Sequence, residues 1–220
     1  MEDVTLRLEP SIAITGTAIA ENAAADAVKN MRVILEPSDG VSGTESGRVQ
    51  YDGNFAVANL VAGRYRVEVE NRPQSLYLKS LRCGVQDATG DAVVDIAPDA
   101  RLALLFGTDG GRVEGSFQPV SKDATVLATL APTGPSQGRM DLVKTVEAES
   151  RKFVFEGVAP GEYKLFLWEL EDVAITGYPD FRRLLENQAT PLEVHARETV
   201  TLTPKVIPAA QVLEARRKLR

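Results

Sequence analysis

The chain has 220 residues, with 31 acidic and 25 basic side chains and a formal net charge of −6. That charge repels phosphate backbones and argues against nucleic acid as a main partner. A hydrophobic content of 44% with 25% charged residues excludes global disorder, and no apolar run reaches the ~18 residues of a membrane-spanning helix.

The length accommodates one or two domains, and an internal repeat favours two. The opening "VTL" of Val4 to Leu6 repeats the "VTL" of Val200 to Leu202. Residues 1–10 are therefore expected to be the closing strand of a preceding repeat or an N-terminal extension, the chain being the C-terminal piece of a longer protein. The N-terminus has neither the basic nor the apolar region of a signal peptide. Strands are then predicted at Ile12 to Ile19, Met31 to Leu35, Gly47 to Tyr51, Phe55 to Ala58, Arg64 to Glu70, Tyr77 to Cys83, Ala92 to Ile96 and Arg101 to Phe106. The clearest is the fifth, where Tyr65, Val67 and Val69 alternate with charged neighbours as in a half-buried antiparallel strand. Between the third and fourth, "YDGNF" places Asp52 and Gly53 as a hairpin turn in which both positions take positive φ.

"GNFAVANLVAGRYRVEVE", starting at Gly53, returns as "RKFVFEGVAPGEYKLFLWE", starting at Arg151. Phe55 falls on Phe153, Gly63 on Gly161 and Tyr65 on Tyr163, each 98 residues apart. Further along, Leu102 and Leu104 fall on Val200 and Leu202 at the same spacing. A constant period with matched apolar positions marks a duplicated structural unit. Upstream the match needs small gaps, "ITGTAI" from Ile14 resembling "VEGSFQ" from Val113. Domain boundaries are accordingly expected at 11–108 and 109–206, with 207–220 as a frayed tail, and "GTDGGRVEG" is the handover. The two units are expected to be independent cores in an elongated pair. The turn before Tyr163 should be of type II, with Pro160 at its second position and Gly161 at positive φ in its third.

Repeated short strands, about seven per unit, predict an all-β chain of two tandem Greek-key β-sandwiches with a short helix in the second. The motif carried by Gly53, Phe55, Leu60, Gly63, Tyr65 and Val67, and again by Phe153, Val158, Pro160, Gly161, Tyr163 and Leu165, resembles the carboxypeptidase regulatory-like domain. That family is an immunoglobulin-like sandwich of the transthyretin-like (prealbumin-like) kind. The resemblance covers nearly all of residues 11–206. It implies mostly non-catalytic modules of secreted, periplasmic or cell-surface bacterial proteins, sometimes beside peptidase domains.

Catalytic sets are sparse. His195 is the lone histidine, expected exposed on a strand, and it can build neither a histidine-rich metal centre nor, without a nucleophile elbow, a serine-type triad. Cys83 is the only cysteine, which excludes an internal disulfide and reads as a packed residue. The acidic loop of Asp87, Asp91 and Asp95 lacks the ligand spacing of an EF-hand and reads as solvated. No catalytic residue, cofactor or metal site is assigned. The expected function is a non-enzymatic structural or interaction module of a larger exported protein, whose partners are other domains of the parent chain. The alternatives are a carbohydrate- or peptide-binding module and, third, an accessory domain of a peptidase.

One difference between the units bears on the binding alternative. At the positions of Glu68 and Glu70 the second unit carries Phe166 and Trp168. With Tyr178 and Phe181 these form the candidate binding surface. The competing expectation is a cover: residues 180–187 as a short helix, with Asp180 as N-cap and Phe181, Leu184 and Leu185 as its apolar stripe.

Overall fold

The structure is a computed structural model and describes residues 10–40, 43–118, 124–169 and 172–219. The expected opening strand at residues 4–6 lies outside the described residues. By its contacts the chain divides into two compact units, Met1–Pro73 with Leu78–Phe106, and Gln74–Tyr77 with Gly107–Arg220.

In the first unit the strands are β1 (Ile12–Ala20), β2 (Arg32–Pro37), β3 (Glu45–Arg48), β4 (Asn54–Leu60), β5 (Gly63–Glu70), β6 (Tyr77–Cys83), β7 (Gln86–Asp87), β8 (Val93–Ile96) and β9 (Arg101–Gly107). They form two sheets, ordered β4-β1-β9-β6-β7 and β3-β2-β5-β8. Side chains alternate strictly along β1, with Ile14 and Ala18 buried and Thr15, Thr17 and Ile19 exposed, because successive residues of a strand point to opposite faces. Val33, Leu35, Val57, Leu60, Val67, Leu102, Leu104 and Phe106 supply the core between the sheets. Burying each such side chain stabilises by about 1.5 to 3 kcal/mol.

The second unit repeats the frame with β10 (Gly111–Ser116), β11 (Val126–Pro132), β12 (Lys144–Glu147), β13 (Lys152–Val158), β14 (Gly161–Glu169), β15 (Thr190–Val194) and β16 (Thr199–Leu202), to which β17 (Val206–Ile207) is added. The sheets are β13-β10-β16 and β12-β11-β14-β15, with β17 paired to β14. Between β14 and β15 lie α1 (Val173–Thr176) and α2 (Pro179–Leu184), and α3 (Ala209–Lys218) follows β17. Both units are thus Greek-key sandwiches, and in each the first and last frame strands run parallel side by side, β1 with β9 and β10 with β16.

The repeated motif has physical reasons. Gly16 lies opposite Phe55 in the β1–β4 register, and Gly115 opposite Phe153 in β10–β13. A Cβ at Gly16 would overlap the Phe55 ring, and one at Gly115 would meet Phe153 Cζ at 2.6 Å, so each glycine leaves room for the aromatic ring laid over it. Each motif tyrosine closes a corner on the backbone four residues upstream. Tyr65 Oη donates to the Val61 carbonyl at 3.0 Å and accepts from the Val61 N–H at 3.2 Å. Tyr163 Oη donates to the Ala159 carbonyl at 2.8 Å. The hydroxyl is satisfied while the ring stays in the core.

Two expectations about turns are corrected. Gly53 has φ +82°, but Asp52 is not among the positive-φ residues. Gln50 N–H bonds to the Asn54 carbonyl at 2.8 Å, so the loop has three residues ending in a left-handed glycine, which moves the third strand back from the predicted 47–51 to 45–48. The two-residue turn with both φ positive is in the second unit instead, at Ser150 (φ 51°) and Arg151 (φ 62°). The turn before Tyr163 is not of type II: Gly161 sits at φ +151°, far from the ~+80° that type requires, and Gly63 needs no positive φ at all.

Candidate functional site

β14 is the strand on which the units diverge. β5 keeps one face charged, with Arg66, Glu68 and Glu70 outside the core, whereas β14 is buried on both faces from Leu165 to Glu169. Phe166 and Trp168 stack at 4.9 Å between centroids with 17° between planes, and Phe181 of α2 closes on Trp168 at 5.5 Å. Phe166, Trp168 and Phe181 are 2%, 0% and 0% exposed, while Tyr178 is 63% exposed. Three of the four candidate binding residues are therefore the floor and roof of a second core, and of the four only Tyr178 is exposed. The physical reason is that two large rings beneath an apolar helix face gain more from burial than from water.

The roof differs in detail from the expected helix. α2 begins one residue earlier, with Pro179 in its first turn and Tyr178, not Asp180, at the N-cap position. Phe181 and Leu185 point inward, but Leu184 is 41% exposed. The expected frayed tail is instead α3, whose Val212 and Ala215 join the same core with Ile207 and Ile175. Val212 and Ala215 stand at helical spacing, the signal available in the sequence; what completes the helix is distant. The buried Glu169 carboxylate accepts the Ala209 N–H at 3.2 Å, an anion at the positive end of α3.

A line of hydroxyls runs through this core. Trp168 Nε1 donates to Thr129 Oγ1 at 3.2 Å, Thr129 Oγ1 bonds Thr145 Oγ1 at 2.9 Å, and Thr145 Oγ1 bonds Thr176 Oγ1 at 3.1 Å. Thr176 Oγ1 donates to the Val173 carbonyl at 2.7 Å. Because the Val173 carbonyl can only accept, it takes the single Thr176 proton, so Thr145 donates to Thr176 and Thr129 to Thr145, and the chain has one sense. It joins β14, β11, β12 and α1, and its chemistry is structural.

The titratable groups singled out in the sequence are also committed locally. His195 is exposed, and its Nδ1 lies 2.8 Å from Glu198 Oε2. That hydrogen bond, with the charge of Glu193, raises the imidazole above its ordinary 6.5. Cys83 is buried, which raises its thiol pKa, and the Asp95 charge adds to the effect. Asp87 accepts the Thr89 N–H at 2.9 Å, and Asp91 the Val93 N–H at 3.1 Å, so both carboxylates brace their own turns. Among the described residues no group of three or more His, Cys, Asp or Glu side chains is placed to hold a metal ion.

A hollow of about 710 Å³ lies on the outer face of β4-β1-β9 in the first unit. Thr15, Thr17, Asn54 and Ala103 line it together with Arg48 and Arg101, and among the described residues no carboxylate belongs to its lining. Arg48 donates to Asn30 Oδ1 at 2.7 Å, and Arg101 makes no ion pair among the described residues. The equivalent hollow of the second unit is about 390 Å³ and lined in part by Arg112 and Glu114. There the guanidinium is neutralised, by Glu114 at 2.7 Å and by Glu156. The first hollow can hold a hydroxyl-rich or anionic group.

The fold and these sites define a tandem all-β sandwich protein. No family model matches the chain, and no curated protein is similar to it. Among solved structures it is similar to the minor pilin GBS52 of Streptococcus agalactiae, at 16% identity and a TM-score of 0.41, covering 90% of this chain and 97% of that one. It is also similar to the shaft pilin spaA of Lactobacillus rhamnosus GG, at 7% identity and a TM-score of 0.28, over 89% and 97% of the two chains. The Bacillus anthracis TIE protein is similar at 12% identity and a TM-score of 0.32; 89% of this chain is covered, but it spans only 34% of that structure.

Proposed function

We propose that the chain is a non-catalytic structural module of a larger exported bacterial protein, with sandwich units at 11–108 and 109–206 that resist tension and space other domains of the parent. The observation that carries this reading is the parallel pairing of first and last frame strands. β1 pairs with β9 over Thr15↔Arg101 to Ala20↔Phe106, and β10 with β16 over Arg112↔Thr199 to Gly115↔Leu202. Pulling the ends of a unit apart draws parallel neighbours past each other along their length, so the ladder bonds are loaded together rather than opened one by one. The finer assignment to the carboxypeptidase regulatory-like family, and with it export to the surface or periplasm, is supported by the motif glycine, phenylalanine and tyrosine holding equivalent places in both units.

Single-molecule pulling of the full chain tests the reading: two discrete unfolding events are expected. Ile19→Pro, at a position 59% exposed, should weaken one event and leave the other unchanged. A gradual yield without discrete events, or forces indifferent to that substitution, would overturn the proposal. A second reading, binding at the hollow of the first unit, is favoured by its two arginines and the lack of a lining carboxylate among the described residues. Titration with acidic oligosaccharides should then show saturable binding lost in Arg101→Ala.

A further inference from the structure

The segment between the fifth and sixth frame strands has two fates in this chain. In the first unit it supplies β6, which lies against β9 and extends that sheet. In the second it forms α1 and α2, and among the described residues β16 is the last strand of a three-stranded sheet. The consequence reaches the core. On β9, Leu102 and Leu104 are each 2% exposed, and the neighbouring β6 carries the buried Leu78 and Leu81. Their equivalents on β16, Val200 and Leu202, remain only partly buried against the core of the second unit.

Among the described residues this outer edge is also unguarded. Native edges are blunted by charge or proline, and the other outer strands of this unit follow that rule: β12 carries Lys144 and Glu147, β13 Lys152 and Glu156, and β15 Pro191 and Glu193. β16 reads Thr-Val-Thr-Leu, with neither. The Arg112 N–H donates to the Glu198 carbonyl at 2.7 Å. In a parallel ladder alternate residues bond to the same neighbour, so the N–H and C=O of Thr199 and Thr201 face away from β10.

We infer that β16 accepts an added strand from another polypeptide, an extended segment with alternating apolar side chains that occupies the place β6 holds on β9. The first unit sets the sense of the pairing. Gly84 N–H bonds to the Arg101 carbonyl at one end and Gly107 lies against the Tyr77 ring at the other, so β6 runs antiparallel to β9 and the added strand runs antiparallel to β16. Backbone bonds supply affinity in such strand addition, and the inward apolar residues, completing the cover of Val200 and Leu202, supply specificity. This assignment rests on the edge alone and is independent of the mechanical role.

The test is amide hydrogen exchange on the full chain with a synthetic peptide of the sequence of residues 76–83 carrying Cys83→Ser. Thr199 and Thr201 amides should exchange at least about tenfold more slowly with saturating peptide, while amides on the edges of β12 and β15 are unchanged. Thr201→Pro removes an edge donor without touching the β10 ladder, and the pair Thr199→Lys with Thr201→Lys charges the edge without altering the core. Both should abolish the protection, and the lysine pair decides the matter if the proline variant does not fold. Absence of protection, or protection that persists in the lysine pair, would overturn the inference. Protection of the same amides in the chain alone, with dimerisation in sedimentation, would assign the edge to a second copy and overturn the assignment to a foreign strand.

Discussion

Replacing Phe181 by alanine measures how much of the second unit depends on its roof. The ring is fully buried against Trp168, with Phe166, Ile175, Leu185 and Val212 in the same cluster. Removing it loses the transfer energy of the ring and leaves a cavity between a sheet and two helices, and such truncations cost about 3 to 5 kcal/mol. With a urea dependence of about 1 to 3 kcal/mol per molar, the midpoint of the second unit should fall by at least about 1 M. The assay is intrinsic, because Trp168 is the sole tryptophan and lies in the affected core, whereas Cys83 is the sole cysteine and is buried in the first unit. Tryptophan emission should be blue and shielded from a soluble quencher in the parent, and should shift red at lower urea in the variant. The urea dependence of Cys83 labelling by a thiol reagent should stay in place. Leu184→Ala is the control: this side chain is 41% exposed and should cost less than about 1 kcal/mol. A quencher-accessible tryptophan in the parent, or equal effects of the two substitutions, would refute the roof.

Gly16→Ala should destabilise the first unit by at least about 1 kcal/mol, since its Cβ would strike the Phe55 ring and lie 2.8 Å from the Leu102 carbonyl oxygen, while Gly63→Ala, whose Cβ would make only ordinary van der Waals contacts and needs no positive φ, should fall within about 0.5 kcal/mol of the parent; chemical denaturation compares them. Ser150→Asn with Arg151→Gly should stabilise the second unit by about 1 to 2 kcal/mol, because both positions hold left-handed backbone that those residues adopt more readily; a lower urea midpoint of the tryptophan transition would contradict the turn. The His195 ring should titrate by NMR above its ordinary 6.5, and Glu198→Gln should lower it. As the folded-state pKa is the raised one, the contribution of this pair to stability is present below about pH 6.5 and is lost as pH rises through the folded value. Cys83 should react slowly with thiol reagents in the folded chain, burial having raised its pKa, and at the ordinary free-thiol rate once the first unit unfolds.

Local chemistry made much of this protein legible in its sequence. Alternation located β5, because a strand with one dry face must write its burial into every second residue, and β6 lies at its expected bounds of Tyr77–Cys83. The exchange of Glu68 and Glu70 for Phe166 and Trp168 announced that the outer face of β14 is covered, and the spacing of Phe181 and Leu185 indicated what covers it. Tertiary structure decided the rest. Asp52 and Gly53 have the composition of a two-residue hairpin, yet that turn formed at Ser150 and Arg151, where the short Glu149–Lys152 bridge imposes the left-handed backbone on residues with no preference for it. The tail looked too short to hold a helix alone, and it is held by Glu169, forty residues upstream by number, and by an apolar surface that exists only once β11 and β14 have paired. The sequence likewise carries no mark that β9 finds a neighbour and, among the described residues, β16 does not, since a strand's own residues set which face is apolar, while the partner at its edge depends on where a distant segment comes to lie.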